Sequence, residues 1–135
     1  VAVAALALPA TPARATDMQP GTYERWSTFV APRRTPLSTH DTYCMTREEA
    51  KDAERRWLAT FAPDGCTRAG QHIDLGHLVA DIACTLDGKD ETRHIDLTFT
   101  HTSVEGSFID VTDAHGTFSS STTLTLHVHR IGDCP

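Results

Sequence analysis

Two histidines at alternate positions, His127 and His129, stand in a stretch where Leu124, Leu126 and Val128 alternate with Thr125 and the two imidazoles. Residues i and i+2 of a β-strand point to one face about 7 Å apart, so this pair could ligate zinc or copper if a further ligand came from a neighbouring strand. His94, Asp96 and His101 are the candidates for that ligand. The same positions are also the polar half of an amphipathic strand, and a solvated His/Thr face needs no metal to explain it. No cofactor is therefore expected, with zinc or copper as the alternative.

The chain contains no G-x-S-x-G elbow, no H-E-x-x-H pair, no phosphate-cradling glycine loop and no EF-hand loop. A non-enzymatic protein is the expectation, and a hydrolase built from dispersed Asp and His side chains is the third reading. Trp26, Trp57, Phe61, Phe99, Phe108 and Phe118 could line a pocket for a small apolar ligand. A domain of this size also needs about that many large side chains for its core, which is the simpler role for them.

Four cysteines, Cys44, Cys66, Cys84 and Cys134, match no C-x-x-C spacing. In an exported chain an even number is read as disulfides. The segment between Cys66 and Cys84 has a turn-like centre, Asp74-Leu75-Gly76-His77, equidistant from both, so a hairpin brings the two sulfurs opposite each other. That pairs Cys66 with Cys84 and leaves Cys44 for Cys134.

Export itself is read from residues 1–15, an apolar Ala/Val/Leu run ending in Ala13-Arg14-Ala15, a small-x-small triplet of the kind signal peptidase cuts after. Cleavage is expected between Ala15 and Thr16, leaving a domain of residues 16–135. Pro9 and Pro12 interrupt the run, which is too short to span a membrane. No cysteine opens the mature region, so no lipid anchor is expected there. Twelve Lys and Arg against 18 Asp and Glu give a net charge of −6, which lacks the basic excess that phosphate binding needs. Nucleic acid is an unsuitable partner; a small apolar ligand or an envelope protein remains open.

The elements that must position these residues follow from periodicity. Thr22 to Val30 reads as a first strand, Ala31 to Pro36 as a loop, and His40 to Met45 as a second short strand. A single helix follows, with Thr46 as N-cap, Glu49 completing a capping box, and Pro63 and Gly65 ending it. Ala50, Ala53, Trp57 and Phe61 form its apolar face. Beyond Cys66 the pattern has period two, with Ile95, Leu97 and Phe99 alternating with His94, Asp96 and Thr98. Asp87-Gly88-Lys89 and Asp113-Ala114-His115-Gly116 supply turns, and Ser119 to Thr123 reads as an edge strand. The expected fold is mainly β: one curved antiparallel sheet or half-barrel meander of six or seven strands, one short helix and two disulfides.

Five landmarks together resemble a known set: Pro20-Gly21-Thr22-Tyr23-Glu24, Cys44-Met45-Thr46, Cys66-Thr67, Cys84 and Arg130-Ile131-Gly132-Asp133-Cys134. The chain is similar to the DUF3617 family of small exported bacterial proteins, from about residue 18 to 134. The resemblance implies a periplasmic location in a Gram-negative bacterium and no particular activity. Tyr23 stands where the family usually has Trp. The family's hairpin register puts a turn near His101 and pairs Phe99 with Val104. Turn chemistry alone would instead place a loop at Val104-Glu105-Gly106 and pair Phe99 with Val111; the family register is preferred.

Overall fold

Strand-forming, alternating segments account for most of the chain, and they assemble into one antiparallel sheet. The structure is a computed structural model; it describes residues 16–62, 64, 66–86, 88–113 and 119–135. The expected leader with its Ala13-Arg14-Ala15 triplet, the helix terminators Pro63 and Gly65, Asp87, the 114–116 part of a turn, and Phe118 lie outside the described residues.

The seven strands are β1 (Gly21–Val30), β2 (Leu37–Met45), β3 (Cys66–Asp74), β4 (His77–Leu86), β5 (Lys89–Phe99), β6 (Ser103–Asp113) and β7 (Ser119–Gly132). Their order across the sheet is β2-β1-β7-β6-β5-β4-β3. A meander from β3 to β7 thus meets a hairpin of β1 and β2, joined antiparallel along β1 and β7. Leu75 and Gly76 form the two-residue connection between β3 and β4, with Asp74 opposite His77 and Gly76 at φ 80°. The β5–β6 hairpin pairs Phe99 with Val104, so the register that places Val111 opposite Phe99 is not used. Ser119 to Thr122 pair only with β6, but Thr123 onward lies between β6 and β1. The serine-rich stretch is therefore edge-like as far as Thr122 and opens a strand whose later residues are interior. The edges are β2 and β3.

Period two divides the sheet into two faces. Leu78, Ala80, Ile82, Ile95, Leu97, Val104, Phe108, Leu126 and Val128 point inward and are buried. Gly106 sits in this face opposite Leu97, and a Cβ there would overlap the Asp96 carbonyl oxygen on the neighbouring strand. Only glycine lets β5 and β6 approach so closely.

The expected single helix is two. Thr46 caps α1 (Arg47–Ala50) with the full capping box to Glu49, but Asp52 adopts a left-handed conformation at φ 51° and α2 (Ala53–Phe61) starts afresh. The cause is the N-terminal segment. The Met18 N–H donates to Ala50 O, Ala53 N–H donates to Thr16 O, and Asp52 N–H donates to Asp17 Oδ1. Backbone groups that a continuous helix would pair internally are taken up by residues 16–18 instead. Ala50, Ala53 and Leu58 are buried, and Trp57 and Phe61 pack against the core, so the apolar stripe does face the sheet. At the far end, Arg93 of β5 donates to the Phe61 carbonyl at 2.8 Å while paired with Asp110 and Glu91. A cation thus satisfies an orphan carbonyl where the helix dipole is negative.

Candidate functional site

Aromatic side chains gather where α2 crosses the inner face. Trp57 meets Phe61 and, edge-on, Phe99, with ring centroids 5.8 and 6.2 Å away, and Phe61 meets Phe108 at 4.1 Å. Phe61 lines two hollows. One, of about 370 Å³, lies toward β1 and β2 and is lined by Arg25, Tyr43, Met45, Glu49, Arg56, Trp57, Thr60 and Phe61. The other, of about 260 Å³, is lined by Phe29, Phe61, Arg93, Phe108, Asp110, Thr122 and Leu124. Phe99 is mostly buried core and also borders a separate hollow beside Thr16 and Gly76.

Trp26 does not belong to this group. It is 47% exposed and stacks on His40, centroids 3.9 Å apart. Parity explains the correction: Tyr23 and Arg25 point inward along β1, so Trp26 must point outward.

Charges at the hollow beside β1 and β2 are unevenly committed. Arg25 pairs with Asp41 and lies 5.5 Å from the Tyr43 ring centre. The hydrogen bond to Arg25 holds the Asp41 carboxyl below its usual range. Burial pushes the Tyr43 phenol up to about 12. Arg56 has no ion-pair partner among the described residues.

The outer face carries a different chemistry. His40 and His129 share Glu24, at 2.7 and 3.1 Å; His127 pairs with Glu105 at 2.8 Å, His77 with Asp96 at 2.8 Å, and His94 with Asp81 at 2.7 Å. His127 and His129 are neighbours, ring centroids 5.3 Å apart. His94 and Asp96 lie on β5, beyond the intervening β6, each bonded to a different partner on the outer face. His101 lies at the β5–β6 turn and bonds the Asp17 carbonyl. No group of three or more His, Cys, Asp or Glu side chains able to hold a metal occurs among the described residues.

Three of the five sequence landmarks, Pro20 to Glu24, Cys44 to Thr46 and Arg130 to Cys134, have a common structural use: they stitch the β1–β2 hairpin to the last residues of β7 and beyond. Gly21 lies at φ 151°, where a Cβ would overlap the Gly132 carbonyl and the Arg130 side chain. Arg130 Nε donates to Pro20 O at 2.9 Å, its guanidinium also pairs with Asp133, and Thr22 Oγ1 donates to Asp133 O. Disulfides join Cys44 to Cys134 and Cys66 to Cys84. A family model described as a protein of unknown function, DUF3617, matches residues 18–134. The chain belongs to the DUF3617 family. No curated protein and no solved structure matches it.

In this DUF3617 chain, Tyr23 fills its place fully buried, with its hydroxyl donating to Gln19 O at 2.6 Å. Burial raises the phenol's pKa, against the opposing charge of Arg130. One buried group escaped the sequence reading. Glu54 has no exposed surface, and its carboxylate accepts from the backbone N–H groups of Thr16 and Gly76. A signal for it exists: Glu54 is four residues from both Ala50 and Leu58, an acid inside the apolar stripe of the DUF3617 helix.

Proposed function

We propose that this protein is an exported, periplasmic binding protein without catalysis of its own, and that it takes a small amphipathic ligand with an apolar body and an anionic head. The observation that carries this reading is the hollow between α2 and the β1–β2 hairpin. Tyr43, Trp57 and Phe61 offer it aromatic surface, and Arg56 at its edge is in no ion pair among the described residues, although Glu48 and Glu49 lie near enough to feel its charge. Ligand sites characteristically combine apolar walls with a few placed polar groups, and a guanidinium suits a carboxylate or phosphate. Two disulfides fit an oxidising compartment. Among the described residues no helix is long and apolar enough to cross a membrane.

Trp57 supplies the test. With Trp26 replaced by Phe, Trp57 is the remaining tryptophan, and its fluorescence should respond saturably to dodecanoate. Arg56→Gln should weaken dodecanoate binding about tenfold, the loss of one charge-assisted contact, and leave dodecanol binding unchanged. An unresponsive Trp57, together with a periplasmic preparation that carries only zinc or copper in native mass spectrometry, would replace this reading with metal binding by the histidine face.

A further inference from the structure

A fully buried carboxylate is expensive unless a cation or several donors compensate it. Glu54 has neither a Lys, an Arg nor a His within ion-pair reach among the described residues. Its two oxygens both face one nitrogen, Thr16 N, at 3.1 and 2.9 Å, and Oε1 also accepts from Gly76 N at 2.9 Å. An amide nitrogen at position 16 brings one hydrogen and no charge to a bidentate acceptor. A free amino group at the same place would bring three hydrogens and a positive charge. The sequence puts the expected cleavage at this same bond, after Ala13-Arg14-Ala15.

We propose that Thr16 is the mature N-terminus and that its α-ammonium forms a buried ion pair with Glu54, so that removal of the leader completes the fold. A membrane-bound signal peptidase hydrolyses the Ala15–Thr16 amide with one water. The new carboxylate stays on the leader, and the new amine on Thr16 takes up a proton at neutral pH. The ammonium then sits where the amide nitrogen does, between the start of α2 and the β3–β4 turn.

The segment it anchors is the one that breaks the helix. Thr16 O accepts from Ala53 N, Met18 N donates to Ala50 O, and Gln19 N donates to His101 O. Residues 16–19 therefore strap both helices to the β5–β6 turn, and the ion pair fastens the free end of the strap. Other charges nearby are already engaged: Asp17 Oδ1 accepts from Asp52 N, the Asp52 carboxylate pairs with Arg55, and His101 bonds Asp17 O. Glu54 is thus left as the group that receives the new charge.

This inference rests on the export reading, and the test separates the two. The full chain behind its own leader is secreted to a bacterial periplasm, and the product's first residue is read by N-terminal sequencing and intact mass. Thr16 is the expected start; any other start overturns the proposal together with the cleavage site on which it depends. Thermal unfolding of the Thr16-start protein is then compared with forms that retain Ala15 or are acetylated on Thr16. Both blocked forms should melt about 10 °C lower, as expected for a buried ion pair broken on one side. Glu54→Gln should lower the Thr16-start protein similarly and abolish its advantage over the blocked forms. Should Glu54→Gln not fold, the native and blocked proteins decide alone. A Thr16 start with equal melting of free and blocked forms would leave export standing and overturn the ion pair.

Discussion

The two faces of the sheet are built from the same strands in the same alternation, yet they tolerate change very differently. On the inner face, side chains from β4 to β7 interlock with α2 and are almost wholly removed from water. On the outer face, histidines and carboxylates pair across strands while remaining about half exposed. Apolar burial contributes about 25 cal/mol per Å², whereas an exposed ion pair is worth about 0–1 kcal/mol. Stability therefore resides in the inner face, and the outer face is free to vary in chemistry without loss of fold. The faces differ in openings as well: hollows with aromatic walls lie beside α2, whereas His40, His77, His94, His127 and His129 on the outer face are already paired with carboxylates.

The largest expected effect is at Gly106. Alanine there puts a Cβ into the Asp96 carbonyl and strains a backbone at φ 152°, so β5 and β6 must separate. A loss of about 4 kcal/mol or failure to fold is expected, at the extreme of single substitutions. Urea unfolding measures it, and a loss below about 1 kcal/mol would mean that the inner face yields far more readily than its packing implies.

Next come the disulfides, which sharpen the same contrast. Cys84 is buried in the inner face, while Cys44 is exposed on the edge strand β2. Loop-entropy arguments assign about 4.5 kcal/mol to the Cys44–Cys134 closure and about 3 kcal/mol to Cys66–Cys84. Cys66→Ala and Cys84→Ala should each lose the shorter closure, and the double variant should add little, because either single breaks the same bond. Mild reduction followed by mass mapping should open Cys44–Cys134 first, since a thiolate reagent reaches it from solvent. Opening of Cys66–Cys84 first would show that exposure does not govern access here.

Most of this architecture was readable from residues alone. The period-two stretches gave the strands of the meander, Asp74-Leu75-Gly76-His77 the tight turn, and Thr46 with Glu49 the start of α1. What local patterns could not supply were contacts between distant segments. The helix breaks at Asp52 because residues 16–18, more than thirty positions away, take its backbone hydrogen bonds. Trp26, offered by residue type for a pocket or more simply for the core, is in neither, because β1 parity sends it outward beside His40. At the candidate site, Trp57 and Phe61 followed from the helical stripe. Arg25, Tyr43 and Arg56 did not, since nothing in their own neighbourhoods says that β1, β2 and α2 meet. Glu54 went unread although it is an acid in an apolar stripe, and its partners, Thr16 and Gly76, became evident only in three dimensions.

Alkaline pH provides a more modest test of the inner face. Both tyrosines, Tyr23 and Tyr43, have phenols whose pKa values are raised by burial, Tyr43 to about 12. In the unfolded chain a phenol ionises near the reference value of about 10. The unfolded state therefore loses protons first, and the stability these groups contribute is complete below pH about 10 and declines as pH climbs toward about 12. Absorbance titration of tyrosinate should show little ionisation at pH 10 in the folded protein. Ordinary titration of Tyr43 would mean that water reaches its ring where it lines the hollow beside α2.

The smallest effect is expected where the histidines cluster. His127→Gln removes the contact to Glu105 and one of two adjacent imidazoles, but Glu105 stays exposed and can be hydrated once the ring is gone. The loss should be within about 0.5 kcal/mol, since neither partner is left desolvated. The same holds for His94→Gln, whose partner Asp81 is likewise open to water. Because His94 and His127 lie on strands separated by β6 and bond different carboxylates, the double variant should show the sum of the single losses. Urea unfolding without added metal checks that sum. A clearly non-additive double variant would mean that the outer imidazoles act as one coupled unit, and the outer face could then no longer be treated as a set of separately solvated pairs.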